Sequence, residues 1–152
     1  MRKINPGPAL SLTLILSLVL FLAAGNGQAY EPPERGLSAA FNHPGVIITP
    51  DDLVELPLTI RNFGRTDDSF RITILEQPEG WEAEIRSFSA VITGIFLPGP
   101  DQVGLTLAAS PPSGARPAPG DYKFKVLVAS LDGHLVRETE CLVTVRPRRG
   151  GA

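Results

Sequence analysis

The sequence predicts an all-β chain: an antiparallel immunoglobulin-like β-sandwich of about seven strands, preceded by an N-terminal signal helix. Three observations carry this expectation. Beyond residue 36 the apolar residues recur with a period of two, the spacing of a half-buried strand rather than of a helix. Turn formers separate these runs at short, regular intervals. No ten-residue window in the same region has helical periodicity.

At the N-terminus, Met1-Arg2-Lys3 is a short basic start, Ala9 to Ala24 is free of charge, and Gly25-Asn26-Gly27-Gln28-Ala29 ends in small residues. This three-part layout is that of a secretory signal over residues 1–29, with cleavage before Tyr30. These sixteen uncharged residues would span about 24 Å as a helix, short of the roughly 30 Å hydrocarbon core. Removal is therefore expected over anchoring; left in place, the segment would hold the domain by one short helix. Residues 30–36 carry two prolines and three charges and read as a flexible lead-in to a sandwich over residues 37–146.

Within the sandwich, Val54, Leu56, Leu58 and Ile60 alternate with Glu55, Pro57, Thr59 and Arg61. The same alternation marks Phe70 to Ile74, Trp81 to Ile85, Val103 to Ala109 and Tyr122 to Val128, and Cys141 falls in phase with Val143 and Val145. Reversals are expected at Pro50-Asp51-Asp52, Asn62-Phe63-Gly64, Pro78-Glu79-Gly80, Pro98-Gly99-Pro100, Pro119-Gly120 and Asp132-Gly133. Pro57 lacks a backbone donor, so its strand should be an edge or should turn that side to solvent. Residues 147–152 read as a flexible tail.

Composition narrows the function. Loss of residues 1–29 from 152 leaves 123, enough for one domain with a core. Against 16 acidic residues there are 14 basic ones, and losing Arg2 and Lys3 takes the net charge from −2 to −4. That balance argues against nucleic acid as a partner and against strong attachment to anionic lipid. A single cysteine, Cys141, excludes an intramolecular disulfide.

The turn motifs also carry a resemblance. Asn62-Phe63-Gly64 closes a strand, Pro78-Glu79-Gly80-Trp81 precedes the next inward set, and Leu97-Pro98-Gly99 leads to a strand that runs into Pro111-Pro112. Pro119-Gly120-Asp121-Tyr122 then opens a long strand. In this order the motifs resemble the NPCBM-associated domain of alpha-galactosidases, an immunoglobulin-like module of exported or membrane-linked bacterial and archaeal proteins, over roughly residues 46–145. The resemblance implies a sandwich and an accessory role. Many relatives carry several such domains or a C-terminal membrane helix, and this sequence shows neither pattern.

Catalytic chemistry finds few residues to work with. His43 and His134 both sit beside turn signals, and no H-x-x-x-H or C-x-x-C spacing occurs. Asp51-Asp52 and Asp67-Asp68 lack the graded spacing of a calcium loop. Glu82 and Glu84 share one strand face, so they do not oppose each other as glycosidase carboxylates must. Cys141 reads as a buried, inert thiol, and Trp81 and Tyr122 as core aromatics rather than a sugar platform. The chain is therefore expected to be no enzyme and to hold no cofactor or metal. One feature exceeds what a plain sandwich needs: Leu75, Leu127, Leu131 and Leu142, with Ala129 and Val136, fall on nominally outward positions. Gathered on one face they would form a docking surface for another envelope or membrane protein. The expectation is an exported, non-catalytic accessory module of the cell envelope, periplasmic or extracellular. Its alternatives are a carbohydrate-binding module and a small envelope metal-binding protein.

Overall fold

The period-two runs become strands whose inward residues are buried in unbroken alternation, most plainly over Val54–Asn62. The structure is a computed structural model that describes residues 29–112 and 115–150. The expected signal, but for Ala29, lies outside the described residues. The chain divides into two units, Met1–Glu31 and Pro32–Ala152. The strands of the second unit are β1 (Leu37–Phe41), β2 (Gly45–Ile48), β3 (Val54–Asn62), β4 (Asp68–Glu76), β5 (Glu82–Ser87), β6 (Ala90–Val91), β7 (Gly94–Leu97), β8 (Asp101–Ser110), β9 (Gly120–Ser130) and β10 (Val136–Val145). No α-helix occurs among the described residues.

The strands form two five-stranded sheets, ordered β1-β3-β8-β5-β6 and β2-β10-β9-β4-β7. Twice the chain crosses from one sheet to the other along an edge, between β1 and β2 and between β6 and β7. These broken edge strands raise the count to ten. Every neighbouring pair is antiparallel except β2 with β10, which runs parallel from Gly45 beside Leu142 to Ile48 beside Val145. This departs from the fully antiparallel sandwich expected, because the crossing after β1 delivers the chain to the second sheet without reversing it.

The core lies between the sheets. Leu58, Ile60, Leu107, Phe124, Val126, Val128 and Val143 are fully enclosed, and each such side chain stabilises the fold by roughly 1.5–3 kcal/mol. Trp81 is only 5% exposed and packs 4.9 Å from the Tyr122 ring and 5.8 Å, edge-on, from Phe124. The Tyr122 hydroxyl donates to the Ala118 carbonyl at 2.6 Å, pinning the loop upstream of β9 in the manner of a tyrosine corner. Cys141 is buried, and burial pushes its thiol pKa up.

Pro57 is not on an edge strand, since β3 lies between β1 and β8. It sits one residue beyond the β1 ladder, which ends at Leu58, and its carbonyl accepts the Asn42 N–H at 2.8 Å. The missing donor therefore falls where the neighbouring strand has already stopped.

The segment expected as a flexible lead-in is instead tied down from Pro33 onward. The Pro33 and Glu34 carbonyls accept the N–H groups of Arg65 and Thr66 at 3.0–3.1 Å, and Gly36 is buried. Gly64 explains the closeness of this contact. A Cβ there would lie 2.7 Å from the Arg35 Cα and 2.8 Å from the Glu34 carbonyl oxygen. Gly99 is similar, since its Cβ would lie 2.6 Å from the Gly64 carbonyl oxygen. The glycines of Asn-x-Gly and Leu-Pro-Gly let three chain segments meet, backbone against backbone.

Candidate functional site

Strand parity assigns the outward residues of the β2-β10-β9-β4-β7 sheet. On β9 the inward Phe124, Val126 and Val128 leave Lys123, Lys125, Leu127 and Ala129 outward. Opposite them on β10 stand Leu142, Glu140, Glu138 and Val136, and on β4 Thr73 faces Leu127 while Arg71 faces Ala129. Leu75 falls at a bulge between Ile74 and Glu76, which keeps it on the outer side. The structure thus brings Leu75, Leu127, Leu131 and Leu142 to one face of one sheet.

Leu127 is only half-exposed, between Thr73 and Glu138. Charged side chains run beside it, with Lys123 Nζ 3.8 Å from Glu76 and 3.9 Å from Glu140. These charges part the apolar residues into two groups. At one end Leu131 (67% exposed) lies beside Ser69, whose carbonyl accepts its N–H. Ser69 pairs in turn with Phe96 (62% exposed), and Val136 and Ala129 form the next row. At the other end Leu142 stands near Ile47 of β2. Phe96 and Ile47 give no signal in the sequence because they lie on short edge strands, where too few residues alternate to show a phase.

At the rim beside Leu131 the β9–β10 hairpin is fastened to the start of the domain. Arg35 donates to Asp132 through Nη1 at 2.6 Å and Nη2 at 3.2 Å, and through Nε to Asp68 at 2.9 Å. Asp132 also accepts from the Ser130 hydroxyl at 2.6 Å and the His134 N–H at 3.1 Å. Arg35 first, then Ser130 and His134, hold the Asp132 carboxyl well below the usual carboxylate range. Hydrogen bonds to Asp132 and Asp68 raise the Arg35 guanidinium in return.

The other titratable residues are dispersed. His134 precedes β10, whereas His43 precedes Gly45, which pairs with Leu142. In this parallel register His43 lies level with Glu140, six residues along β10 from His134, roughly 20 Å away. Asp51 pairs with Arg116 at 3.2 Å and Asp52 accepts the Thr49 N–H at 2.7 Å. Asp67 accepts the Gly99 N–H at 3.1 Å. Asp51, Asp52 and Asp67 therefore serve turns and loops, and Asp68 serves the Arg35 clasp. Glu84 pairs with Arg86 on its own strand. Among the described residues no group of three His, Cys, Asp or Glu could hold a metal.

Sheet order, crossing edge strands and the core aromatics define an immunoglobulin-like β-sandwich domain. No family model matches the sequence, and no curated protein matches it. Solved structures share the fold. The FixG-related protein from Vibrio parahaemolyticus is 7% identical with a TM-score of 0.51, over 74% of this chain and 97% of that one. The native alpha-2-macroglobulin of Escherichia coli is 17% identical with a TM-score of 0.55, over 73% of this chain and 7% of that one. A family 123 glycoside hydrolase from Clostridium perfringens is 6% identical with a TM-score of 0.52, over 74% of this chain and 28% of that one. At these identities the likeness is one of fold.

Proposed function

We propose that this chain is an exported, non-catalytic accessory module of the cell envelope that docks to another envelope protein through the outer face of β4, β9 and β10. The observation that carries the reading is the exposure of Leu131, Phe96 and Val136 in adjacent rows, with Leu75 and Leu142 on the same face and Leu127 half-exposed among them. Apolar anchors set among charges have the composition of a non-obligate interface. The signal-like layout of residues 1–29 supports the location. The alignment of Asn62-x-Gly64, Pro78-x-Gly80-Trp81, Leu97-Pro98-Gly99 and Pro119-Gly120-x-Tyr122 with strand ends supports membership of the NPCBM-associated family. A carbohydrate-binding role gains nothing from Trp81, which belongs to the core.

Crosslinking in intact envelopes tests the proposal. Leu131→Glu places a charge at the centre of the larger apolar group and leaves the core untouched. The wild-type crosslinked partner is expected to be lost or weakened at least about tenfold, with thermal unfolding unchanged. A crosslinking pattern unchanged from wild type in both Leu131→Glu and Leu142→Glu would reject this face as the docking surface.

A further inference from the structure

The outer face of β4, β9 and β10 holds one cation that its own chain leaves unmatched. Lys123 pairs with Glu76 and Glu140, and Lys125 stands opposite Glu140 on the β10 ladder. Glu138, the remaining acid, lies at the far end of the row Thr73, Leu127, Glu138, so Leu127 separates it from β4. Arg71 is exposed on β4 and makes no ion pair among the described residues.

Register fixes the surroundings of Arg71. Gly94 flanks it on β7 and Ala129 on β9, and Ser69 and Thr73 are the next outward residues along β4. None of the four is charged, and the two flanking residues bring almost no side chain. Larger apolar residues stand at the diagonals. Phe96 pairs with Ser69, Leu131 donates its N–H to the Ser69 carbonyl, and Leu127 pairs with Thr73. Arg71 therefore rises from between small residues, with a phenylalanine and two leucines at three of its four corners.

We infer that Arg71 sets the specificity of the docking face by receiving an Asp or Glu carboxylate that the partner presents among apolar side chains. The inference rests on the docking role proposed for this face and adds the chemistry of the partner. Charge complementarity identifies the occupant. A cation without a partner, set inside an apolar group, matches an anion whose own surroundings are apolar. Phe96, Leu131 and Leu127 exclude water when such a surface closes over them, which strengthens the pair at their centre. A guanidinium takes a carboxylate through two parallel N–H bonds, which also fixes its direction of approach. Lipid phosphate could meet the guanidinium alone. Across the whole face, however, Glu76, Glu138 and Glu140 balance Arg71, Lys123 and Lys125, leaving no net attraction to an anionic bilayer. The acid therefore belongs to a protein.

Zero-length crosslinking of the full-length chain in intact envelopes tests this. A carbodiimide does not couple arginine to a carboxylate, but it does couple the amine of Arg71→Lys, forming an amide as the carbodiimide takes up the water lost. Arg71→Lys is expected to give a product whose mapped bond joins position 71 to an Asp or Glu of another protein. The product should be absent from wild type and from Arg71→Lys combined with Leu131→Glu. Arg71→Glu should weaken the wild-type partner crosslink at least about tenfold, with the thermal unfolding midpoint unchanged because the side chain is exposed. Loss of the partner in Leu131→Glu but not in Arg71→Glu would overturn the inference and leave the docking face standing. No loss in Arg71→Glu, Leu131→Glu or Leu142→Glu would reject both. A bond from position 71 to a second copy of this chain would also overturn it, as would Arg71-dependent binding to phosphatidylglycerol vesicles, which assigns the cation to lipid.

Discussion

Asn62 has its side chain only 1% exposed and every bond it makes is to backbone. Its Nδ2 donates to the Thr66 carbonyl at 2.9 Å and to the Leu97 carbonyl at 3.0 Å, and its Oδ1 accepts the Gly64 N–H at 2.9 Å. One side chain thus completes the β3–β4 reversal and ties it to the end of β7. Replacing it with alanine leaves buried backbone groups unpaired, each at about 1–3 kcal/mol. Asn62→Ala is expected to lose about 3 kcal/mol or more in urea unfolding, with an unchanged m-value. A loss below about 1 kcal/mol would mean that water replaces the amide. The Asn-x-Gly motif made the reversal legible in the sequence. The bond to Leu97, 35 residues away, was not, because the partner is a carbonyl and carbonyls carry no residue identity.

At the level of elements, Arg35 is a clasp between the segment leading into β1 and the β9–β10 hairpin. The Asp132 carboxyl is held low in the folded chain, so its contribution is present above the ordinary carboxylate pKa and disappears as pH falls through the depressed value. Arg35→Met is therefore expected to be less stable than wild type at pH 7, with the difference shrinking as pH drops below about 4. Chemical denaturation at a series of pH values measures this, and a difference that grows on acidification would contradict the clasp. The six long strands were legible because apolar residues alternate in phase along each, Trp81 before β5 extending the short Ala83 and Ile85 set. β1, β2, β6 and β7 were not. β1 puts only Ala39 between Leu37 and Phe41, β6 has two residues, and β2 and β7 are four-residue edges half open to solvent. The outer leucines were assigned to one face from strand phase and the pairing an immunoglobulin-like topology implies, but the Lys123, Glu76 and Glu140 cluster that divides them depends on register across three strands, which no single strand reveals.

For the whole molecule, the N-terminus decides how the domain is presented. A processed chain should begin at Tyr30, and mass spectrometry of protein recovered from the producing cell reads this directly. A mature N-terminus at Met1 would make residues 1–29 a tether and would place any docking at the membrane surface.

The parallel pairing of β2 with β10 has a mechanical meaning. The first strand begins at Leu37, at the end of the sandwich where β4 begins, and the last strand ends at Val145, where β10 pairs with the start of β9 at Gly120. Tension between the two termini runs along the strands. It shears the β2–β10 hydrogen bonds, among them Leu142 N–H to Pro44 and Arg146 N–H to Ile48, all together rather than peeling them one by one. A domain pulled between a held N-terminus and a partner gripping its far end would resist as a unit, up to a force set by its rate of unfolding.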